Sequence, residues 1–205
     1  MFYTSSDFRR MGRMSLKNCW GVALISLLIV SAINTVLAST VAGTLLVAGP
    51  LTVGLMCVFL SISRYHEASY ESLFVTLKSN FIECFLAYIL QTIFVFLWSL
   101  LFLIPGMIKS YSYSMTFYIL ADNPQLPAMD ALRESERMMM GHKWELFCLN
   151  LSFIGWYILS IFTCGLLLIY VVPYHLAAVT AFYRTLAEGN GESQSNWADS
   201  HNFTV

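Results

Sequence analysis

Charged side chains are scarce in this sequence of 205 residues, because only 11% of them are Asp, Glu, Lys or Arg. An average soluble domain contains about 25% of these residues. The apolar fraction is 58%, which is more than a soluble domain of this size can bury away from water. This composition excludes a soluble enzyme and a disordered protein. The net charge of −1 provides no field that would attract nucleic acid. A multi-pass membrane protein is therefore indicated.

The short motifs of known catalytic and metal sites are also lacking. His66-Glu67 has no second histidine at the spacing of H-E-x-x-H, and neither G-x-S-x-G nor G-x-x-x-x-G-K-[ST] occurs. The five cysteines lie in or beside apolar runs and form no C-x-x-C pair, so we interpret them as packing residues. From this pattern we expect no catalytic residue, no bound metal and no cofactor.

Long apolar runs are what the sequence does contain. A helix needs about 20 apolar residues to cross the hydrocarbon core of a bilayer. Six runs approach or reach this length: 19–38, 41–62, 81–104, 107–121, 146–162 and 165–186. The partners of each pair are separated only by Ser39-Thr40, by Pro105-Gly106 or by Thr163-Cys164-Gly165, and breaks this short join antiparallel helices. The predicted fold is an all-α membrane bundle of six transmembrane helices, arranged as three hairpins in a single domain, 1–187.

Basic residues are distributed unevenly between the two ends of this predicted bundle. Six crossings place ten of the 11 Lys and Arg residues on the side of the termini and leave Lys109 as the exception. Because basic residues are enriched in cytoplasmic connections, both termini are expected in the cytoplasm. The polar stretch 188–205, rich in Gly, Ser and Asn, is predicted to be a disordered cytoplasmic tail.

Amphipathic elbow helices are predicted in the connections on the cytoplasmic side. In 128–139, one helical face carries Ala128, Ala131, Leu132, Ser135, Met138 and Met139, and charged residues occupy the opposite face. Gly141 follows where a glycine would end this helix. Similar patterns over 7–17 and 67–78 predict two more helices at the membrane surface. Each helix precedes a hairpin, which favours a repeat with units 4–62, 63–121 and 124–187. Three ordinary hairpins joined by basic linkers are the alternative.

Lys109 is the main candidate for a functional side chain within the predicted spans. An ionisable residue in a span is costly unless it pairs, snorkels or faces water. Helical spacing aligns it with Tyr113 and Thr116, and His175 on the last segment could face this stripe. We interpret Lys109, Tyr113, Thr116 and His175 as the lining of a ligand-binding polar cavity that opens to the outer side. In the alternative interpretation, Lys109 reaches the outer headgroups and the stripe only packs.

A second candidate site lies at the predicted cytoplasmic interface. His142, Lys143 and Trp144 could contact an anionic lipid headgroup, with Trp144 as the anchor. Ordinary interfacial anchoring is the alternative, since Trp and Lys commonly serve it. Asn150, within the fifth segment, is predicted to form a hydrogen bond between helices.

Several motifs resemble a family of bacterial membrane proteins known as domain of unknown function 975. They are IPGMIKSYSYSM (104–115), ADNP (121–124), MGHKW (140–144), LSFIGW (151–156) and PY (173–174), together with MSLK (14–17) before Trp20. The resemblance implies a multi-pass protein of the bacterial plasma membrane, and it implies no activity. A looser similarity to the membrane domains fused to glycerophosphodiester phosphodiesterases hints at a role close to lipid.

Three functions remain open from the sequence. The first is a non-catalytic membrane protein that binds lipid, peptide or a protein partner in the cell envelope. The second is a small transporter or lipid-handling protein, which needs a polar pathway through the bundle. The third is an intramembrane enzyme, which needs at least two converging reactive groups. The expected partners are the lipid bilayer and an anionic lipid, a peptide or another membrane protein, and not nucleic acid.

Overall fold

A computed structural model describes residues 4–17, 19–37, 41–65, 81–101, 103–163 and 165–201. Over these ranges the chain is helical and contains no strand, as the sequence predicted. The helices are α1 (Ser5–Leu16), α2 (Trp20–Leu37), α3 (Val41–Tyr65), α4 (Phe81–Leu101), α5 (Leu103–Ser112), α6 (Thr116–Asp122), α7 (Ala128–Met138), α8 (Lys143–Phe162) and α9 (Leu168–His201). The predicted helix 67–78 and the predicted break at Ser39-Thr40 lie outside the described residues.

Three stretches of the described residues are long and apolar enough to cross a membrane. They are Val47–Arg64, Phe81–Leu100 and Lys143–Phe162, and there are four if Ser5–Leu16 and Trp20–Val36, bent by 96°, form one span. Of Val47–Arg64, 67% is buried, compared with 11% of Phe81–Leu100. Helix α3 is therefore surrounded by protein, whereas α4 lies at the periphery. The six predicted segments are largely helical, but only three or four meet these criteria of length and composition.

The buried core lies where the second half of α3 meets α6 and α9, and where α8 packs on α9. Phe59, Leu120, Phe153 and Phe182 are among its fully buried side chains. Helices α1 and α7 pack around this core through their apolar faces. Because burying a large apolar side chain is worth about 1.5–3 kcal/mol, these contacts dominate the packing energy at this end of the bundle.

The predicted helix 128–139 is confirmed as α7. All six residues assigned to its apolar face, namely Ala128, Ala131, Leu132, Ser135, Met138 and Met139, are buried. Gly141 has a φ of 84°, in the left-handed region that glycine adopts most readily, and it follows the end of the helix. The predicted helix 7–17 is likewise confirmed as α1, which buries Phe8, Gly12 and Leu16.

The predicted segment 107–121 is not one continuous helix, which corrects the sequence analysis. Helix α5 ends at Ser112 and α6 begins at Thr116. The hydroxyls of Ser112 and Ser114 donate hydrogen bonds to the carbonyls of Ile108 and Tyr111, at 3.0 and 2.8 Å. Serine side chains that bond the local backbone in this way compete with the helical pattern.

The break predicted at Pro105-Gly106 is also displaced. Helix α4 ends at Leu101, and α5 begins at Leu103, so both residues lie in the first turn of α5. Proline is tolerated in a first turn because its missing N–H would have no partner within the helix. Gly106 instead provides the close approach of α5 to α4, since a Cβ there would lie 2.7 Å from the Cα of Ser99.

Helix α9 continues to His201, across most of the stretch that was expected to be disordered. Extending an existing helix costs much less than starting one, and Ala187 and Glu188 are both good helix formers. The polar composition of 188–201 alone therefore did not determine its secondary structure.

Helices α1 and α7 have matching features that bear on the predicted repeat. Their N-caps are Thr4 and Pro127, so the two helices begin 123 positions apart. When α1 is aligned with α7 at this shift of 123 positions, the buried Gly12 corresponds to the buried Ser135. A shift of 59 positions, the separation of the first two predicted units, places Gly106 over Gly165. Gly106 is helical whereas Gly165 has a φ of 83°, so these two glycines are not equivalent. The shift of 123 differs from the 120 positions between the predicted starts of the first and third units, at 4 and 124, and the repeat remains a prediction.

Candidate functional site

Lys109 lies on α5 and forms an ion pair with Glu136 of α7. Its Nζ atom is also 5.6 Å from the ring centroids of both Trp98 and Tyr113, within the range of cation–π attraction. Sequence analysis placed Lys109 and α7 at opposite ends of the bundle. The contact of Lys109 with Glu136 was therefore not predicted. The cation is stabilised by pairing and does not depend on reaching the headgroups.

His175 lies in a different set of contacts from Lys109. Its Nε2 is 2.8 Å from Oδ1 of Asn150, and its Nδ1 is 3.1 Å from the hydroxyl of Tyr157. The amide of Asn150 also donates to the hydroxyl of Tyr111 at 3.5 Å. A neutral imidazole has one donor and one acceptor, so both of its nitrogens are satisfied here. The predicted hydrogen bond of Asn150 between helices is confirmed.

The four residues of the predicted cavity are thus divided. Lys109 and Tyr113 are neighbours, but His175 binds residues of α8. Thr116 is fully buried, and its hydroxyl donates to the carbonyl of Tyr113 at 2.8 Å. The sequence could not separate these groups because helical spacing fixes which residues share a face but not how the helices pack.

We expect the Lys109–Glu136 pair to contribute about 1 kcal/mol of coupling energy, since both side chains are only partly exposed. In a double-mutant cycle with Lys109→Met and Glu136→Gln, stability is measured by unfolding in detergent. The double variant should be destabilised by about 1 kcal/mol less than the sum of the two single variants. Glu134→Gln is the matched control, because Glu134 forms its ion pair with the exposed Arg137 of its own helix. Additive effects of the two substitutions would show that the pair is not energetically coupled.

The predicted interfacial residues lie at the start of α8. Trp144 is 71% exposed, and its ring stacks on Phe147 with the centroids 5.1 Å apart. Nδ1 of His142 is 3.1 Å from Oε2 of Glu145, and Lys143 is the first residue of the helix. This exposed ring beside a cation remains suited to contact with an interface, as the sequence predicted.

A pocket that the sequence analysis did not predict lies between α1 and α9. Its volume is about 430 Å³, and it is lined by Ser6, Arg9, Arg10, Arg13, Met14 and Tyr174. We call it the arginine pocket. Arg13 donates a hydrogen bond of 3.4 Å to the hydroxyl of Tyr174, and its guanidinium carbon lies 5.5 Å from the centre of that ring. The hydrogen bond raises the pKa of Arg13 above its ordinary value, so this side chain is cationic under all ordinary conditions.

Helix α1 is positioned for this pocket by close packing on α9. A Cβ on Gly12 would lie 2.7 Å from the backbone nitrogen of Ala178, so only glycine allows this approach. One turn away, the rings of Phe8 and Phe182 meet edge to face with their centroids 5.1 Å apart. Apolar contacts on one side of α1 therefore fix the arginines on its other side.

The charges of the arginine pocket differ from those elsewhere in the described part of the chain. Cations outside the pocket commonly have an acidic partner: Arg64 with Asp122, Lys109 with Glu136, Arg133 with Asp130, Arg137 with Glu134 and Arg184 with Glu188. Among the described residues, no carboxylate forms an ion pair with Arg9, Arg10 or Arg13. Within the described part of the chain, Nε of Arg9 is buried and has no hydrogen-bond partner. Chemically, the pocket is able to bind an anion.

The sequence analysis used these arginines only to predict that both termini lie in the cytoplasm, and did not predict a pocket. The spacing of Arg9 and Arg13 already places them on one helical face. The decisive partner, Tyr174, lies 161 positions further along, and no local pattern indicates that contact.

Comparison with known proteins identifies one family. Neither the curated protein sequences nor the solved structures contain a match to this chain. The sequence profile of a family described as protein of unknown function (DUF975) matches residues 100–190. These residues include α5, α6, α7 and α8, together with Tyr174 of the arginine pocket. The stretch 100–190 of this chain is therefore similar to that family, which is the one that the sequence motifs suggested.

Proposed function

We propose that this chain is a multi-pass protein of the bacterial plasma membrane that acts by binding rather than by catalysis. The observation that carries the proposal is a concentration of exposed apolar side chains near the α4–α5 and α8–α9 turns. Phe96, Leu100, Ile104, Ile161 and Phe162 are between 66% and 80% exposed there. In water a contiguous apolar surface of this kind is unfavourable, whereas lipid covers it without cost.

Six crossings in three hairpins are compatible with the shorter helices. Helices α5 and α6 together supply the return from α4, and the backbone groups at their break are bonded by Ser135. In α9, the polar His175 is paired with α8. Non-helical backbone and polar side chains are tolerated within a membrane where protein satisfies them. The elbow helix α7 and the start of α1 would then lie at the cytoplasmic end of the bundle, as the distribution of basic residues favours.

The contacts of the ionisable residues support binding over the two alternatives. An intramembrane enzyme needs reactive groups with a free proton-transfer position, but both nitrogens of His175 have partners and Lys109 is paired with Glu136. A transporter needs a polar pathway, and the polar contacts among Tyr111, Asn150 and His175 join helices to one another. In the arginine pocket, in contrast, the three cations form no ion pair with a described carboxylate, so they remain able to bind an anion.

The proposed topology is tested by labelling single cysteines in a variant that lacks the five native ones. An impermeant maleimide applied to intact cells should label a cysteine at position 40. A cysteine at position 195 should react only after the cells are permeabilised, because six crossings place both termini inside. A cysteine in place of Met140, which is 66% exposed beside the end of α7, is the matched internal control and should behave as position 195 does. Labelling of positions 40 and 195 from the same side would contradict the topology.

A further inference from the structure

We propose that α5 and α6 form a two-state element: α7 keeps the break between them open, and release of α7 lets them close into one continuous helix. This inference goes beyond the proposed binding role. It depends on the contacts among α5, α6 and α7, and not on the number of membrane crossings.

The hydroxyl of Ser135 lies between two backbone groups that would otherwise belong to one helix. In a continuous α-helix each N–H donates to the carbonyl four positions earlier. The N–H of Met115 would then donate to Tyr111, and the carbonyl of Ser112 would accept from Thr116. Ser135 instead accepts from Met115 at 3.2 Å and donates to Ser112 at 2.8 Å. One side chain from α7 therefore replaces two consecutive helical hydrogen bonds, which is a known cause of helix interruption.

The residues at the break remain close to a helical conformation. Met115 has a φ of −92° and a ψ of −3°, at the edge of the right-handed helical region. The N–H groups of Ser114 and Thr116 donate to the carbonyls three positions earlier, at 3.4 and 3.2 Å, so the turn is tightened rather than unwound. Neither proline nor glycine occurs between 107 and 122. Closing the break therefore needs only small backbone rotations and pairs both groups that Ser135 releases.

Closure would join 103–122 into one helix. At 1.5 Å per residue this helix is about 30 Å long, which is the thickness of the hydrocarbon core of a bilayer. The local sequence pattern predicts a continuous segment over 107–121, whereas the contact with α7 favours the break. Two packings of the same residues are thus each supported by a different set of contacts, which is the condition for a two-state element.

The ion pair between Lys109 of α5 and Glu136 of α7 is the latch of this element. Glu136 directly follows Ser135, so the pair controls the end of α7 that carries the inserted hydroxyl. The other end of α7 is held separately, by Glu83, which accepts from the N–H of Ala128 at 2.8 Å. The side chains of the pair are 24% and 35% exposed, whereas Ser135 is fully buried. Water and solutes therefore reach the latch, and its loss lowers the cost of releasing α7.

Hydrogen exchange of the full chain in detergent tests the proposal at single N–H groups. The N–H of Met115 is bonded by Ser135 in the docked state and by Tyr111 in the released state, so it stays protected in both. A released helix of 11 residues is marginal by itself, so the N–H groups of α7 exchange on release. In Glu136→Gln, those of Leu132 and Ser135 should exchange about fivefold faster, whereas that of Met115 should change by less than about twofold.

Glu134→Gln is the matched control, because Glu134 forms its ion pair within α7, with Arg137. It should leave the exchange of Leu132 and Met115 within about twofold of wild type. A substitution of Ser135 itself does not serve this test, because it unpairs Met115 in the docked state as well.

Two results in Glu136→Gln would overturn the proposal. Exchange of Met115 accelerated as much as that of Leu132 would show that the break stays open when α7 is released. Unchanged exchange of Leu132 would show that the ion pair does not hold α7.

The wild-type chain provides a second measurement that needs no variant. At low concentrations of denaturant, Leu132 should exchange through an opening of lower free energy than Met115. A single common opening for the two N–H groups would also reject the two-state element. None of these results depends on the topology, which the cysteine labels report, so the proposed membrane protein and this element can fail separately.

Discussion

Replacing Gly106 with leucine should destabilise the protein by about 3 kcal/mol, because the added side chain would overlap backbone atoms. A Cβ at this position would lie 2.7 Å from Cα and 2.9 Å from Cβ of Ser99. Rotation of a side chain cannot relieve the first contact, since Cα belongs to the backbone of α4. Helices α4 and α5 would have to separate, and the Lys109–Trp98 contact between them would then weaken.

The control for this prediction is Gly155→Leu, which places the same side chain on the interior of α8. A Cβ on Gly155 would meet no atom of another described element within 4 Å, and leucine is a better helix former than glycine. This variant should therefore be neutral or slightly stabilised. Both free energies of unfolding are measured by denaturant titration in the same detergent. Equal stability of the two variants would show that α5 does not pack on α4 at Gly106.

Replacing Ser135 with alanine should cost about 2–3 kcal/mol, because it leaves two buried backbone groups without partners. The Ser135 hydroxyl donates to the carbonyl of Ser112 at 2.8 Å and accepts from the N–H of Met115 at 3.2 Å. Both groups belong to the break between α5 and α6. Ser135 is fully buried, so water cannot replace its hydroxyl without entering the core.

Ser110→Ala is the control for Ser135, since Ser110 is exposed on α5 and its loss should change stability by less than about 0.5 kcal/mol. Backbone hydrogen exchange at Met115 provides a second measurement. Its N–H should exchange faster in Ser135→Ala and at the wild-type rate in Ser110→Ala. A Met115 N–H that stays equally protected in both variants would contradict the role assigned to Ser135.

The helices that could be predicted are those with a strong local pattern. Helix α7 has its apolar residues at helical spacing and a glycine shortly beyond its end, so its face and its boundary follow from neighbouring residues. The break between α5 and α6 could not be predicted in the same way. It depends on Ser135, which lies 20 residues from Met115 in the sequence. Local patterns indicate helices well, but an interruption stabilised from another helix leaves little local signal.

The contacts of the candidate site show the same difference between features with a local sequence pattern and features that depend on distant residues. The contact of Asn150 with another helix could be predicted because amide side chains in apolar segments generally bond a neighbouring helix. The pairing of Lys109 with Glu136 was missed because depth was counted from Pro105-Gly106, and both residues lie inside α5. The arginine pocket depends on how α1 packs on α9. That packing is set by the absence of a side chain at Gly12, which has no signature of its own.

The packing of α1 on α9 also sets an order of events during synthesis. Arg13 and Tyr174 are 161 positions apart, and ribosomes add about 5–20 residues per second. Helix α1 is therefore complete on the order of 10 to 30 seconds before its partner emerges. During this interval its apolar face, with Phe8 and Leu16, has no α9 to cover it. The apolar face of this amphipathic, arginine-bearing helix must therefore be covered by another surface until α9 has been synthesised.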